Sequence, residues 1–348
     1  MEVNKKELKE QEIRTLFITP ALQQKGWAVS VNMREEYYFT DGRVLVVGNQ
    51  HSVAEGKKAD YLLYHNGKPI AVVEAKDNKH AVGGGIQQAM DYAQILDLKF
   101  AYSSNGDAFL EHDFITGKET EIKLENFPTE EELYNRYLAS KNYTSDELNI
   151  IETPFYYDAH SHEPRYYQRI AVDRTVEAIA RGQQRVLVVM ATGTGKTFTA
   201  FQIIHRLHKS GAKKKILYLA DRNNLVDQSI QQDFAPLEKV IHKVNFSKDD
   251  PRTITSYEVY FSLYQQLAGN EEKAARKTLS FWRRANESAF PVQIGMVRWA
   301  HFEQFREINP RESRRVLRVV KHRLKSHPSI RDVFVLPNGA FLIFANND

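Results

Sequence analysis

Cysteine is absent from this 348-residue chain. Without a thiol there is no disulfide, no zinc-thiolate site and no cysteine nucleophile, a composition that suits a cytoplasmic protein. Long apolar runs are also missing: none approaches the roughly 20 residues needed to cross a bilayer, so no membrane role is expected. The opening stretch, Met1 to Glu10, is charged throughout and has no apolar centre, unlike a signal peptide. What remains is ordinary for globular proteins, with 42% hydrophobic and 26% charged residues. The length is enough for about two domains, each with its own core.

The net charge of +4 conceals an uneven split. Residues 271–331 hold 15 Lys or Arg against 6 acids, so the rest of the chain is net negative. Such a block fits a nucleic-acid surface or a solvated helix face equally well.

The stretch from Arg185 to Thr197 carries the clearest signal. Five apolar residues, Val186 to Met190, read as a buried parallel strand, and the chain then passes through Thr192, Gly193, Thr194, Gly195, Lys196 and Thr197 into a helical pattern. This is a phosphate-cradling loop. The glycines let consecutive N–H groups turn inward beside a helix N-terminus, Lys196 reaches the outer phosphates, and the Thr197 hydroxyl ligates Mg²⁺. The strict pattern has Gly where this chain has Met190. A glycine-rich turn without a ligand is the plain alternative.

Upstream, residues 4–24 predict a helix with Leu8, Ile13, Leu16, Phe17 and Leu22 along one stripe. Strands follow at Arg43 to Val47, Asp60 to His65 and Ile70 to Lys76, the last two joined by the hairpin signal Asn66-Gly67. Gly83-Gly84-Gly85 breaks the chain before a helix from Ile86 to Leu96, and two more strands are expected at Lys99 to Ser103 and Ala108 to His112. Residues 126–165 read as a connector with one or two short helices. His160 and His162 lie in it, at a spacing that rarely binds metal.

Within the hairpin, Asp60 opens one strand while Glu74 and Lys76 share a face at the end of its partner. Two carboxylates and an ammonium at one place suit phosphodiester hydrolysis: Asp60 and Glu74 hold Mg²⁺, and Lys76 orients water or stabilises developing charge. An internal ion pair at a strand edge is the structural alternative. Gln88 and Tyr92, four apart on the next helix, point to the same side. In this order the residues resemble the PD-(D/E)xK nuclease superfamily, whose motor-coupled members carry a Gln-x-x-x-Tyr helix after the core. Glu12, on the first helix, stands where related nucleases carry a further acid, although an exposed helix glutamate explains it too.

Downstream, Gln168 is similar to the adenine-reading glutamine of helicase superfamily 2, whose amide offers the donor and acceptor that adenine needs. Ile216 to Arg222 resembles the motor motif in which Arg222 meets a DNA phosphate. Strand, loop, helix, strand, helix, strand is the first half of a RecA-like domain. Residues 1 to about 268 thus resemble the R subunit of a type I restriction enzyme. The implied fold is α/β: a PD-(D/E)xK nuclease domain (1–150), a partial RecA-like parallel-sheet domain (151–270) and a divergent basic tail (271–348) with a helix over Glu312 to Ser326 and a hairpin over Val333 to Phe344. The implied function is Mg²⁺-dependent DNA cleavage with ATP-dependent translocation of double-stranded DNA, alongside modification and specificity subunits. The only Asp-Glu pair, Asp146-Glu147, falls in the connector, so the box that completes a motor's Mg²⁺ shell is missing and slow or absent ATP hydrolysis is expected. The tail reads as truncated or rearranged. A non-catalytic docking remnant and a repair nuclease with an ATP-sensing domain remain alternatives.

Overall fold

A computed structural model describes residues 4–39, 44–47, 50–53, 56–158, 163–183, 185–190, 193–220, 227, 229–244, 256–263, 293–297, 333–335 and 340–344. Its contacts separate two compact units, whose main spans are Met1–Thr144 and Ser145–Lys321.

The first unit opens on a helical rod of three pieces: α1 (Glu10–Ile13), a π-helical turn over Arg14–Ile18, and α2 (Thr19–Gln24). The predicted stripe is corrected here. Leu16 is 52% exposed, whereas Ile18 is fully buried. A π turn spans five residues, so it places Ile18 rather than Leu16 in line with the buried Ile13, while Leu8 and Phe17 pack partly buried against the same core.

Strands β1 (Met33–Phe39), β2 (Val44–Val47), β3 (Gln50–Val53), β4 (Lys57–His65), β5 (Lys68–Ala75), β6 (Phe100–Ser104), β7 (Ala108–Asp113) and β8 (Lys118–Lys123) follow, with β2 and β3 forming a separate antiparallel pair. The others make a six-stranded sheet in the order β1-β4-β5-β6-β7-β8, antiparallel except for β5 and β6. Helix α3 (Ile86–Leu96) makes the crossover that this parallel pair requires. The β4–β5 hairpin turns on Asn66 and Gly67, both at positive φ as the Asn-Gly signal predicts. Residues Ala59 to Tyr64 and Ile70 to Ala75 are buried without interruption, because both faces of the sheet are covered there. Trp27, Phe100, Tyr102, Phe109 and Phe127 form the aromatic centre of this core.

Helix α4 (Glu130–Lys141) is tied to β7 by charge. Arg136 donates to both carboxylate oxygens of Glu111, at 2.9 and 2.7 Å, and to Asp113 at 3.0 Å, while the Tyr102 hydroxyl donates to Glu111 at 2.5 Å. Arg136→Ala strands two buried carboxylates and is expected to cost about 2–3 kcal/mol in urea unfolding. A change below about 0.5 kcal/mol would make this a surface-type pair.

In the second unit, α5 (Ser145–Ile151) and α6 (Tyr166–Ala180) precede β9 (Arg185–Val189), and α7 (Lys196–Lys209) leads to β10 (Ile216–Ala220), β11 (Ile241–Lys243), β12 (Val259–Leu263), β13 (Gln293–Val297), β14 (Val333–Val335) and β15 (Ala340–Phe344). The described strands form two sheets rather than one run. Strand β9 is flanked on both edges by parallel partners, β13 and β15, so β10 pairs instead with β12, which also carries β11. Strands β14 and β15 are antiparallel, and through β15 the tail hairpin joins the sheet of β9. Helix α7 packs in both directions: Ile203 and Leu207 join the β9 core, and Phe201 and Ile204 the β12 core. Its Gln202 amide clamps the backbone N–H and C=O of Tyr156. The predicted tail helix over Glu312 to Ser326 lies outside the described residues.

Candidate functional site

The two acids of the hairpin lie on neighbouring strands, Asp60 on β4 and Glu74 on β5, next to the register pair Tyr61 and Val73. Both are buried, at 6% and 1% exposure. Their carboxylates are crossed through the backbone. Asp60 Oδ2 accepts the Ala75 N–H at 2.8 Å, and Glu74 Oε1 accepts the Asp60 N–H at 3.3 Å. Burial, and then the charge of Asp60, push the Glu74 carboxyl up to about 8. Glu10 of α1 contributes in the same direction. Glu12, the acid singled out from the sequence on that helix, instead accepts the Lys9 N–H at 2.8 Å in the helix's capping box.

Lys76 follows β5 directly. A Cβ placed on Gly85 would lie 3.2 Å from both Glu74 Cβ and Lys76 Cε, so the acid and the amine flank the same point. Lys76 Nζ donates to Gln88 Oε1 at 3.2 Å, and Gln88 Nε2 donates to the Tyr92 hydroxyl at 3.1 Å. The i, i+4 spacing on α3 makes that second contact geometrically natural. Asp60, Glu74, Lys76, Gln88 and Tyr92 are thus brought to one end of the β4–β5–β6 strands. Burial raises the Tyr92 phenol, whose oxygen accepts from the Gln88 amide.

Three neighbours were not read from the sequence. Ser103, paired with Glu74 across the parallel β5–β6 ladder, accepts the Gly85 N–H at 3.0 Å and fixes the start of α3. Arg14, on the π turn, lies 3.3 Å from Asp60 Oδ1 and 3.2 Å from Glu36 Oε1. Glu36 sits in mid-strand with φ of 50°, a left-handed conformation unusual for glutamate. Only the Gly83-Gly84-Gly85 run hinted at a close approach here. Arg14 and Glu36 carried no local sequence signal.

Among the described residues no three His, Cys, Asp or Glu side chains gather into a metal-binding group. Asp60 and Glu74 could still hold Mg²⁺, which typically takes one or two carboxylates and completes its octahedron with water. A buried pair of acids, one with its carboxyl raised first by burial and then by the charge of the other, fits such an ion.

In the second unit, the loop between β9 and α7 has Gly193 and Gly195 at φ of 79°. Lys196 opens α7 and donates from Nζ to the Met190 carbonyl at 3.2 Å, while Thr197 is half-buried one residue further on. Met190 itself is 1% exposed and packs with Val186, Val188 and Ile203, which explains why a large apolar residue is accepted at that position. Gln168 of α6 caps its own helix by accepting the Arg165 N–H at 2.9 Å, and its amide donates to the Thr194 carbonyl at 2.8 Å. A Cβ on Gly195 would fall 2.2 Å from that amide nitrogen, so only glycine admits this approach. Thr192 and Arg222 lie outside the described residues, as do His160 and His162. No described helix is long and apolar enough to cross a membrane.

Comparison with known proteins adds independent evidence. Residues 7–120 match the family described as "Type I restriction enzyme R protein N terminus", and residues 161–288 the family "Type III restriction enzyme, res subunit". The chain is 44% identical over 276 residues, 78% of its length, to the type I restriction enzyme EcoAI endonuclease subunit of Escherichia coli. It is 28% identical, over 64% of its length, to the EcoKI endonuclease subunit of Escherichia coli strain K12. These matches span 34% and 23% of the two relatives, so the chain corresponds to about a third or less of each. A solved fragment assigned as an HsdR subunit of a type I restriction enzyme from Vibrio vulnificus YJ016 superposes with a TM-score of 0.65 at 36% identity, covering 84% of this chain and 55% of the fragment. With a nuclease-like first unit and a helicase-like second, the chain belongs to the family of type I restriction enzyme R subunits.

Proposed function

We propose that residues 1–150 form a PD-(D/E)xK-type nuclease domain that cleaves double-stranded DNA with Mg²⁺, and that residues 151–270 form the first half of a RecA-like, ATP-binding motor. The supporting observation is the meeting of Asp60, Glu74 and Lys76 at one strand end, with Lys76 hydrogen-bonded to Gln88. Mg²⁺ held by Asp60 and Glu74 would polarise the scissile phosphate and acidify an attacking water. The chain's own residues do the rest. Lys76, steered by the Gln88 amide, sets a positive charge beside Glu74 where phosphate charge develops. Tyr92, holding Gln88 from behind, keeps that amide turned toward Lys76. Glu74 must give up its proton before it can serve as a ligand, so activity is expected to rise toward pH 8.

In the second unit Lys196 and Thr197 would bind the ATP phosphates and Mg²⁺, supported by the glycine conformations of the loop. No Asp-Glu pair follows the loop in this chain, so ATP binding without rapid hydrolysis is expected. Arg222 would meet a DNA phosphate. The work site would be cytoplasmic, beside modification and specificity subunits that choose the DNA.

Incubating the chain with plasmid and Mg²⁺, with and without ATP, tests the reading against Asp60→Asn. Loss of nicking in the variant supports it, and equal nicking by both proteins refutes it. Gly85→Ala should crowd Glu74 Cβ and Lys76 Cε, displacing them by a few tenths of an ångström. We expect cleavage to fall about tenfold with little change in melting temperature, since small displacements at a reacting centre are costly.

A further inference from the structure

Asp60 has two carboxylate oxygens, and protein groups take both. Oδ2 receives the Ala75 N–H, and Oδ1 faces the Arg14 guanidinium at 3.3 Å, the one ion pair that Asp60 makes among the described residues. Arg14 is held from several sides. Its Nε donates to the Tyr61 hydroxyl at 3.4 Å, its guanidinium lies over the Tyr61 ring 5.0 Å from the centroid, and the nitrogen that faces Asp60 also reaches Glu36 Oε1. Arg14 is largely covered, its side chain 12% exposed, whereas Glu36 at 50% stands toward solvent and also receives Lys58 Nζ at 3.2 Å. One cation is therefore shared between an inner acid at the cleavage site and an outer acid at its rim.

We infer that Arg14 is a displaceable counter-ion: it occupies Asp60 Oδ1 until a divalent ion arrives, and then withdraws to Glu36. This rests on the nuclease reading of Asp60 and Glu74. A divalent ion bonded to Asp60 Oδ1 at about 2.1 Å would be repelled by a guanidinium 3.3 Å from the same oxygen, so the two cations compete for that acid. The exit is already built, because Glu36 touches the same nitrogen. Retreat needs only a small swing of a side chain whose backbone sits on the π turn, a helical irregularity common at functional sites. Arg14 is thus a positioning residue for the acid pair, setting how readily the site loads its metal.

The test is Mn²⁺ binding to the full chain without DNA or nucleotide, read as free Mn²⁺ by electron paramagnetic resonance. Asp60→Asn must lose the binding. If it does not, the metal-site reading itself fails, whatever Arg14 does. Given that loss, Arg14→Gln is expected to bind Mn²⁺ about tenfold more tightly than wild type, because the competitor is gone. Glu36→Gln is expected to bind several-fold more weakly, because Arg14 has lost its second seat. Lys58→Gln removes the same charge from the same cluster without touching Asp60, and is expected to change affinity less than twofold. An Arg14→Gln affinity equal to wild type, or a Lys58→Gln gain as large as that of Arg14→Gln, overturns the inference. If Arg14→Gln fails to fold, the Glu36→Gln result decides alone, since that exposed side chain is safely replaced: unchanged Mn²⁺ affinity there also overturns it.

Discussion

Glu74→Gln should lose DNA cleavage by about 10³-fold while the protein becomes more stable than wild type at pH 8 and above. The two effects have one origin. In the folded chain, burial and the Asp60 charge hold the Glu74 carboxyl near 8, against an ordinary value of 4.5. Between those values the folded protein keeps a proton that the unfolded chain has released. Stability contributed by that proton is therefore complete below about pH 4.5 and is lost as pH rises through about 8, a total on the order of a few kcal/mol. Glutamine is neutral at every pH and has nearly the same shape, so the variant should show no such decline. It should also lose the negative charge with which the carboxylate would hold Mg²⁺, hence the activity. Urea unfolding at pH 5, 7 and 9 checks the first half and a plasmid assay the second. Adding Mg²⁺ at pH 9 should restore stability to wild type and leave the variant unmoved. A wild-type protein equally stable at all three pH values would mean that Glu74 is well solvated or neutralised by a partner, and the acid pair would then have no need of a cation.

Lys196→Ala is the second large effect expected, this time on nucleotide. Lys196 now donates to the Met190 carbonyl at the end of β9, close to where phosphates would lie in the cradle. A charge-assisted hydrogen bond of this kind is worth about 1.5–3 kcal/mol, so ATP affinity should fall roughly 10- to 150-fold, measured with a fluorescent ATP analogue. Nicking that needs only Mg²⁺ should be unchanged, because Lys196 is not part of the acid site. If the variant binds the analogue as tightly as wild type, the loop is a glycine-rich turn and not a nucleotide cradle. Gln168 sharpens the comparison. Both ends of its amide are already committed, one to the Arg165 N–H and one to the Thr194 carbonyl, so reading adenine requires it to exchange at least one of these bonds.

How far the sequence foretold this arrangement depends on whether each signal was local. The Asn66-Gly67 turn and two apolar strand runs, one opened by Asp60 and one interrupted by Glu74, were enough to place Asp60 opposite the end of β5. The i, i+4 pair Gln88 and Tyr92 needed only helical geometry. Arg14 was out of reach, because a π turn shifts the helix face by about one residue and no residue pattern in 14–18 announces it. The same shift turned Leu16 outward and Ile18 inward. Strand β1 was hidden too: Met33-Arg-Glu-Glu-Tyr-Tyr-Phe39 buries only its two ends, with one half-buried tyrosine between, so no alternation marks it as a strand. In the second unit the strand sequences were legible but their neighbours were not. Edge partners are chosen by tertiary packing, and β9 takes segments from beyond residue 290 on both sides.

The β4–β5–α3 succession has a consequence for how such chains can change. Asp60, Glu74, Lys76, Gln88 and Tyr92 all fall within one uninterrupted stretch from Lys57 to Leu96, the crossover helix returning over the strands that precede it. Recombination with breakpoints outside those forty positions would exchange motors, tails or docking surfaces while handing on the five proposed cutting residues as a single inherited cassette, with Arg14 supplied from the preceding segment.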